Sequence, residues 1–303
     1  MNKIVVLSGG SSPEREVSLV TAKNIERQLL ESGFDVQLID PSDYKTIPEL
    51  INKIDEIKPD LLFNGLHGGD GENGKLQALF ELVGYKFTGS GSEACVLAMN
   101  KYVSKLIAQD CGVPIPSHKY LHKGDKVDNI QTKSIGLPLI VKPNNAGSSV
   151  GITIVKSYEE LQNAIDEAYK FDDSILIEQF IPGRELTVTI IDEIPRSVVE
   201  IKPKSGWYDF QNKYTSGNTQ YIAPAELSEE ERKIIQAYAL RIYKQTDCKA
   251  YARIDFRYDG DKFYFLEVNT LPGMTELSLT PMSAKADGIN FKQLLEVIIT
   301  ASL

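Results

Sequence analysis

RIDFRYDGDKFYFLEVNTLPG, residues 253–273, is the stretch on which the fold turns. Two runs rich in aromatic and branched residues flank an Asp-Gly pair, the pattern of a β-hairpin. Acidic residues are poor strand formers and are seldom buried unpaired. Yet this hairpin carries Arg253, Asp255, Glu267 and Asn269, followed by Gly273. Two carboxylates and one amide are hard oxygen ligands, the set that suits Mg²⁺ held jointly with a nucleotide's phosphates. The guanidinium two residues before Asp255 and the backbone N–H groups at the glycine offer cover for an oxyanion. Register decides whether these groups meet. A three-residue turn, Asp259 to Asp261, puts Asp255, Glu267 and Asn269 on one face; a two-residue turn splits them unless a bulge intervenes. The bland alternative is a surface hairpin with solvated charges.

The bulk numbers narrow the field. A chain of 303 residues is long enough for two or three compact domains. At 42% hydrophobic and 25% charged it reads as an ordinary soluble globular protein. A net charge of −9 argues against a nucleic-acid-binding surface, which needs clustered Lys and Arg, but a few local lysines would suffice for ATP. No apolar run approaches the roughly 18 residues of a membrane span, and the apolar stretch in MNKIVVLSGG is too short for a signal peptide. Cys95, Cys111 and Cys248 form an odd, scattered set without metal-ligand spacing. The expectation is a reduced, cytoplasmic protein with no membrane and no nucleic-acid partner.

Residues 1–93 alternate strand and helix as βαβαβαβ, with strands at KIVVLSGG, FDVQLID, DLLFNGLHGG and YKFTGSG. That is an open parallel α/β sheet, whose ligands bind beyond the carboxyl ends of the strands. From about Glu93 a continuous helix over EACVLAMNKYVSKLIAQDCG leads into a small α+β unit, 94–180. Residues 181–303 read as mostly antiparallel strands, a helix over SEEERKIIQAYALRIYKQTD, the hairpin and a final helix. There is no internal repeat.

Several segments carry candidate chemistry. SGGSSPEREVS feeds a glycine turn into a helix start, an anion-binding shape, although G-x-G-x-x-G is absent and the helix dipole alone would account for Glu14. GDGENGKL, 69–76, mimics a Walker loop but has Leu76 where Mg²⁺ needs a hydroxyl, and Asp70 and Glu72 would repel phosphates. His67 and Glu72 either orient a polar substrate or cap turns. KPNNAGSSVG, 142–151, ends an apolar strand on Lys142 and offers Ser148, Ser149 and backbone N–H donors on a mobile flap. IEQFIPGREL, 177–186, places Glu178, Phe180 and Glu185 around a Pro-Gly turn, where carboxylates and a free amide could read an adenine and a ribose. The segment 205–224 is long, polar and irregular, as lids are, with Lys213 and Tyr214 its reactive candidates. His118 and His122 have zinc spacing for a helix but sit in an expected strand, where that spacing does not converge.

In order along nearly the whole chain, GGSSPEREVSL, LHGGDGENGKLQ, TGSG, MNK, IVKPNNAGSSVG, LIEQFIPGRELTV, YDFQNKY, ARIDF, FLEVNTLPGMTELSL and PMSA resemble the ATP-grasp superfamily, and within it the bacterial D-alanine–D-alanine ligases. The fold class implied is α/β and α+β. An amino-terminal open parallel-sheet substrate domain (1–93) precedes a central small domain (94–180) and a carboxy-terminal domain (181–303) with metal site and lid. ATP would be clamped between the last two.

The resemblance also implies roles. Lys101 and Lys142 would meet phosphates, with Ser149 on the flap beside them. Glu178, the backbone at Ile181, and Glu185 would meet adenine and ribose. Asp255, Glu267 and Asn269 would hold two Mg²⁺ ions, with Mn²⁺ as the alternative. Glu14 would hold the first amine, and Ser148 and Tyr214 would join flap to lid. Arg253 and the Gly273 N–H would stabilise the oxyanion. Ser278 and Leu279 would anchor the second carboxylate, with His67, Glu72 and Lys213 also at the substrates. The implied reaction joins two D-alanines through an acyl phosphate for peptidoglycan synthesis, in a homodimer. Phe210 stands where many relatives have Tyr, and the hairpin turn looks one residue shorter than in some. The rivals are another carboxylate–amine ligase, such as a D-alanine–D-serine enzyme, and an ATP-binding module without catalysis. Tyr214 favours an amine as second nucleophile.

Overall fold

A computed structural model describes residues 2–127, 129–148, 150–204, 218–275 and 278–303, with only the backbone at 129–131. Strands β1 (Lys3–Leu7), β2 (Asp35–Ile39) and β3 (Leu61–Asn64) form a parallel sheet in the order β2-β1-β3. Central β1 is buried at four of its five positions, while edge strand β2 is mostly open. Helix α1 (Arg15–Glu31) lays Ser18, Thr21, Ala22, Ile25 and Leu29 on the sheet, one apolar stripe at helical spacing. Helix α2 (Ile47–Ile57) starts where the Thr46 side chain accepts from Glu49 N and ends on left-handed Lys58. Helix α3 (Lys75–Val83) lies between two glycines. The expected fourth strand in YKFTGSG shrinks to one parallel bridge, Leu62 to Phe87.

The continuous helix expected from Glu93 is broken. Helix α4 (Ser92–Met99) stops at Asn100, whose extended backbone leaves the helix and whose side chain accepts from Val103 N to open α5 (Lys101–Asp110). Asn competes with the helical backbone through such local bonds, so it caps better than it continues. The break puts Lys101 at the first position of α5.

A second sheet, antiparallel, has the order β4 (His118–His122), β7 (Ser174–Gln179), β5 (Leu139–Pro143), β6 (Thr153–Val155). Helix α6 (Asn129–Ile135) follows β4. Helix α7 (Leu161–Ala168) covers the second sheet, and Leu139, Val141, Ile165, Ile175 and Ile177 are its core. The third sheet runs β11 (Thr219–Ile222), β10 (Val199–Pro203), β8 (Arg184–Ile191), β12 (Tyr251–Tyr258), β13 (Phe263–Asn269), with β9 (Ile194–Pro195) on β8. Helix α8 (Glu229–Gln245), opened by a Ser228–Glu231 capping box, buries Ile235, Ala239 and Ile242 against it.

Two helices close the chain, α9 (Leu279–Ala286) and α10 (Phe291–Ala301). Leu294, Leu295, Ile298 and Ile299 of α10 share one core with Ile4, Val6, Ala22 and Ile25. The last helix therefore crosses the 181–303 division expected from the sequence and packs with the amino-terminal sheet. Among the described residues no helix is long and apolar enough to cross a membrane.

Candidate active site

The hairpin register settles the parity question in a way neither simple turn foresaw. Tyr258 pairs with Phe263, so four residues, Asp259–Lys262, make the connection, and a bulge then shifts the ladder between Asp255 and Phe256. Phe256 faces Phe265 but Asp255 faces Glu267, leaving Leu266 as the additional residue. Arg253 faces Asn269 two positions on, so all four polar side chains share one face.

Asp255 is buried, and its oxygens are already engaged. Arg253 donates from Nε and Nη2 at 2.9 Å each, a bidentate pair, and Thr187 Oγ1 donates at 2.6 Å from β8. Glu267 is more open, 31% exposed, and its Oε2 lies 3.2 Å from Lys101 Nζ. The same ammonium donates to Ala146 O at 2.6 Å, tying the flap after β5 to the hairpin.

Behind this lies a buried charge cluster. Glu178 on β7 sits between Lys142 Nζ at 2.8 Å and Lys105 Nζ at 3.1 Å. Burial alone would raise the Glu178 carboxyl, but the two lysine charges hold it below the usual carboxylate range. Burial brings the Lys105 ammonium down to about 8 against the pull of Glu178. Expected to read adenine, Glu178 thus turns both oxygens to lysines here. Ile181 accepts from Arg257 Nε through its carbonyl, and Glu185 pairs with Arg257 at 3.3 Å. Glu185 and Phe180 line a cleft of about 480 Å³ beside β8 and β10.

The other end is acidic. A cavity of about 580 Å³ is lined by Glu14, His67 and Glu72 from the amino-terminal sheet and by Lys101 and Ser148. Arg253, Glu267, Asn269, Gly273, Ser278 and Leu279 close it from the third sheet and the segment after it. The Ser148 hydroxyl donates to the Glu14 carboxylate. Gly68 must be glycine beside that carboxylate: it has φ +63°, and a Cβ there would stand 2.5 Å from Glu14 Oε2. At Gly273 a Cβ would stand 2.8 Å from Ser278 Oγ. Glu72 accepts from Gly68 N at 3.0 Å, and burial followed by the Glu14 charge pushes its carboxyl up to about 7.

His67 is a cross-link rather than a free ligand. Its Nδ1 lies 3.2 Å from Leu271 O and its Nε2 2.8 Å from Thr21 Oγ1. A carbonyl only accepts, so the proton sits on Nδ1 and Thr21 donates to Nε2. Burial lowers its basicity, which keeps the ring neutral.

Ser149, Lys213 and Tyr214 lie outside the described residues. Lys105 and Thr187 were missed by sequence reasoning. The signal for Lys105 was its spacing: four residues after Lys101, in line with buried Ser104 and Ala108 on a helix face that should be apolar. Among the described residues no group of three or more His, Cys, Asp or Glu could hold a metal alone. The hairpin's donors fit Mg²⁺ in another way, as two carboxylates and an amide that leave the remaining positions to phosphate oxygens and water.

A cavity lined by Lys101, an oxygen-bearing hairpin and the ends of a parallel α/β sheet, with two further lysines buried on Glu178 behind it, defines an ATP-grasp enzyme. Residues 107–300 match the family model described as D-ala D-ala ligase C-terminus. The D-alanine–D-alanine ligase of Francisella philomiragia is 43% identical over 98% of this chain and 97% of its own length. The chain belongs to the D-alanine–D-alanine ligase family. The Bacillus anthracis D-alanine–D-alanine ligase complexed with ATP superposes with a TM-score of 0.87 at 32% identity, covering 99% of this chain and 96% of that one. The VanG D-Ala:D-Ser ligase from Enterococcus faecalis superposes at 0.83 with 31% identity, covering 100% and 99%.

Proposed function

We propose that this chain joins two D-alanines into D-alanyl-D-alanine with hydrolysis of ATP to ADP and phosphate, supplying the dipeptide for peptidoglycan precursors. One observation carries the reading. A single cavity is lined by the Lys101 ammonium and the Arg253 guanidinium and also by the Glu14 and Glu72 carboxylates, the mixed polarity needed to seat a polyphosphate next to an amino acid. Family membership supplies the D-alanine.

The steps assign themselves to this charge pattern. Lys101 and Lys142 receive the phosphates, and Ile181 and Glu185, with Glu178 behind them, border the adenine and ribose. Asp255, Glu267 and Asn269 would hold Mg²⁺, which neutralises charge on the phosphates when bound. Glu14, held by Ser148, takes the ammonium of the first D-alanine. The carboxylate oxygen of that D-alanine attacks the γ-phosphorus and ADP leaves, giving a D-alanyl phosphate. The free amine of the second D-alanine then attacks the acyl carbon; the C–N bond forms, the C–O bond to phosphate breaks, and the amine's proton is released. Arg253 and the Gly273 N–H meet the oxyanion of the tetrahedral intermediate, which requires Arg253 to loosen its grip on Asp255. Ser278 and Leu279 take the second carboxylate, with Glu72 nearby. Of the lid expected over 205–224, Thr219–Ile222 are instead strand β11 of the third sheet, so residues 205–217, with Lys213 and Tyr214, are the candidate for excluding water, because a mixed anhydride hydrolyses readily.

The protein is expected to act in the cytoplasm as a homodimer; exposed Leu82, Val83 and Val96 on the packed helices α3 and α4 support an apolar contact there. The test is ADP release and product mass with ATP, Mg²⁺ and D-alanine, with L-alanine, D-alanine plus D-serine and D-alanine plus D-lactate alongside. D-Alanyl-D-alanine as the main product, from the D isomer only, is expected. Preferential incorporation of D-serine would move the chain to the alternative ligase, and ATP binding without any ligation would reduce it to a binding module.

A further inference from the structure

Lys105 has no place in those steps, yet its side chain is wholly buried. A buried ammonium is retained only where its charge and its donors are both met. Glu178 meets the charge at 3.1 Å, and the Phe265 ring lies 5.6 Å away. The donors go elsewhere: Nζ lies 3.3 Å from the carbonyl oxygen of Phe265 and 3.4 Å from that of Leu266. These two carbonyls flank the bulge. Leu266 is the residue inserted between Phe265, which pairs with Phe256, and Glu267, which pairs with Asp255. Phe265 on this edge strand already turns from β12, its N–H donating to Pro114 O at 2.9 Å, and the insertion leaves the Leu266 carbonyl outside the ladder as well; Lys105 meets both carbonyls. Without the insertion the parity of the strand flips, and Glu267 points away from Asp255.

We propose that Lys105 is a positioning residue that clamps the bulge at Leu266, aims Glu267 at the ion site, and balances Glu178 beside Lys142. The inference rests on the reading of Glu267 as an ion ligand. It distinguishes two lysines one helical turn apart: Lys101 faces the cavity, whereas Lys105 shapes the strand behind it.

The test is a Mn²⁺ titration followed by electron paramagnetic resonance, on Lys105→Met in the full chain with a non-hydrolysable ATP analogue. Metal-free nucleotide binding and the KM for the first D-alanine are measured beside it. Mn²⁺ affinity should fall about tenfold or more, the scale of losing a group behind a metal ligand. The first D-alanine's KM should stay within about twofold, which a general loosening of the fold would not allow. Wild-type Mn²⁺ affinity in folded Lys105→Met overturns the proposal. Glu267→Gln in the same titration separates the two failures. If it too binds Mn²⁺ normally, the ion reading of Glu267 is wrong; if it alone loses Mn²⁺, only the role of Lys105 falls. Should Lys105→Met not fold, Lys105→Arg carries the same titration. Its fork keeps the charge but cannot hold one nitrogen against both carbonyls, so weakened Mn²⁺ binding is again expected and wild-type binding overturns the idea.

Discussion

The two ends of the cleft handle charge in opposite ways. At the nucleotide end Lys101, Lys105 and Lys142 surround Glu178 and Glu267, three cations to two anions. The ion pairs there are opposite in sign, Lys105 and Lys142 repel each other across the Glu178 they share, and the surplus is positive. At the end proposed for the amino acids Glu14 and Glu72 line one cavity with a neutral His67, and the Glu14 charge adds to burial in raising the Glu72 carboxyl. Burying an ion costs several kcal/mol unless a partner repays it. The nucleotide end is therefore held together without ligand, whereas the acidic end relieves itself by holding a proton on Glu72. The first is the end proposed to accept a polyphosphate; the second is the end proposed to take an ammonium.

The severest way to break this comparison is to neutralise the hairpin between the two ends. Glu267→Gln and Asp255→Asn keep size and shape and remove a negative oxygen. If the hairpin anchors Mg²⁺, the loss of several kcal/mol of charge stabilisation should slow ADP formation by about a thousandfold or more. ADP release within about tenfold of wild type would move the metal off the hairpin. Asp255→Asn also leaves Arg253 without its bidentate partner, so a larger loss of stability is expected there than in Glu267→Gln, which gives up only the part-open pair with Lys101. Melting curves of the two variants check that difference.

The next effect belongs to the nucleotide end alone. Lys142→Met leaves Glu178 buried with one lysine instead of two. Because Lys142 is also the proposed phosphate contact, and truncating one partner of a charge pair across a binding interface costs about 2 kcal/mol or more, affinity for a non-hydrolysable ATP analogue should fall roughly thirtyfold. D-Alanine affinity should hardly move. Equal losses for nucleotide and amino acid, by calorimetry, would show that the two ends are not separate.

How much of this was legible depends on how far each feature reaches along the chain. The parallel sheet, the flap after Lys142 and the family motifs follow from local pattern, and residues from three distant segments do meet in one cavity. The register of the hairpin was not legible: its Asp-Gly pair suggested a two- or three-residue turn, and nothing in FYFLEVN marks Leu266 as inserted. That insertion answers to Lys105, about 160 positions earlier, which no local pattern reports. Asn100 was legible in principle, as a cap residue inside an apparent helix, but the apolar periodicity on both sides outweighed it. The last helix packs with the first sheet because its apolar face needs a partner, and sequence shows the face without the partner.

The smallest effect sharpens the acidic end. Glu72 is pushed up to about 7 from the ordinary 4.5, first by burial, then by Glu14 and Glu267. The folded chain holds this proton at pH values where the unfolded chain has lost it, so the associated stability is fully present below about 4.5 and is lost as pH rises through about 7. Glu72→Gln is neutral at every pH and cannot lose it. Its melting temperature, relative to wild type, should therefore be higher at pH 8 than at pH 5, by about a few degrees. His67 titrates in both proteins, so the difference isolates Glu72, and stopping near pH 8 limits the contribution of Lys105. Glu178, whose carboxyl is held low, gives the opposite dependence, with stability present above the ordinary carboxylate value and lost on acidification below it. A pH-independent difference for Glu72→Gln would mean that burial and the Glu14 charge do not hold a proton on Glu72.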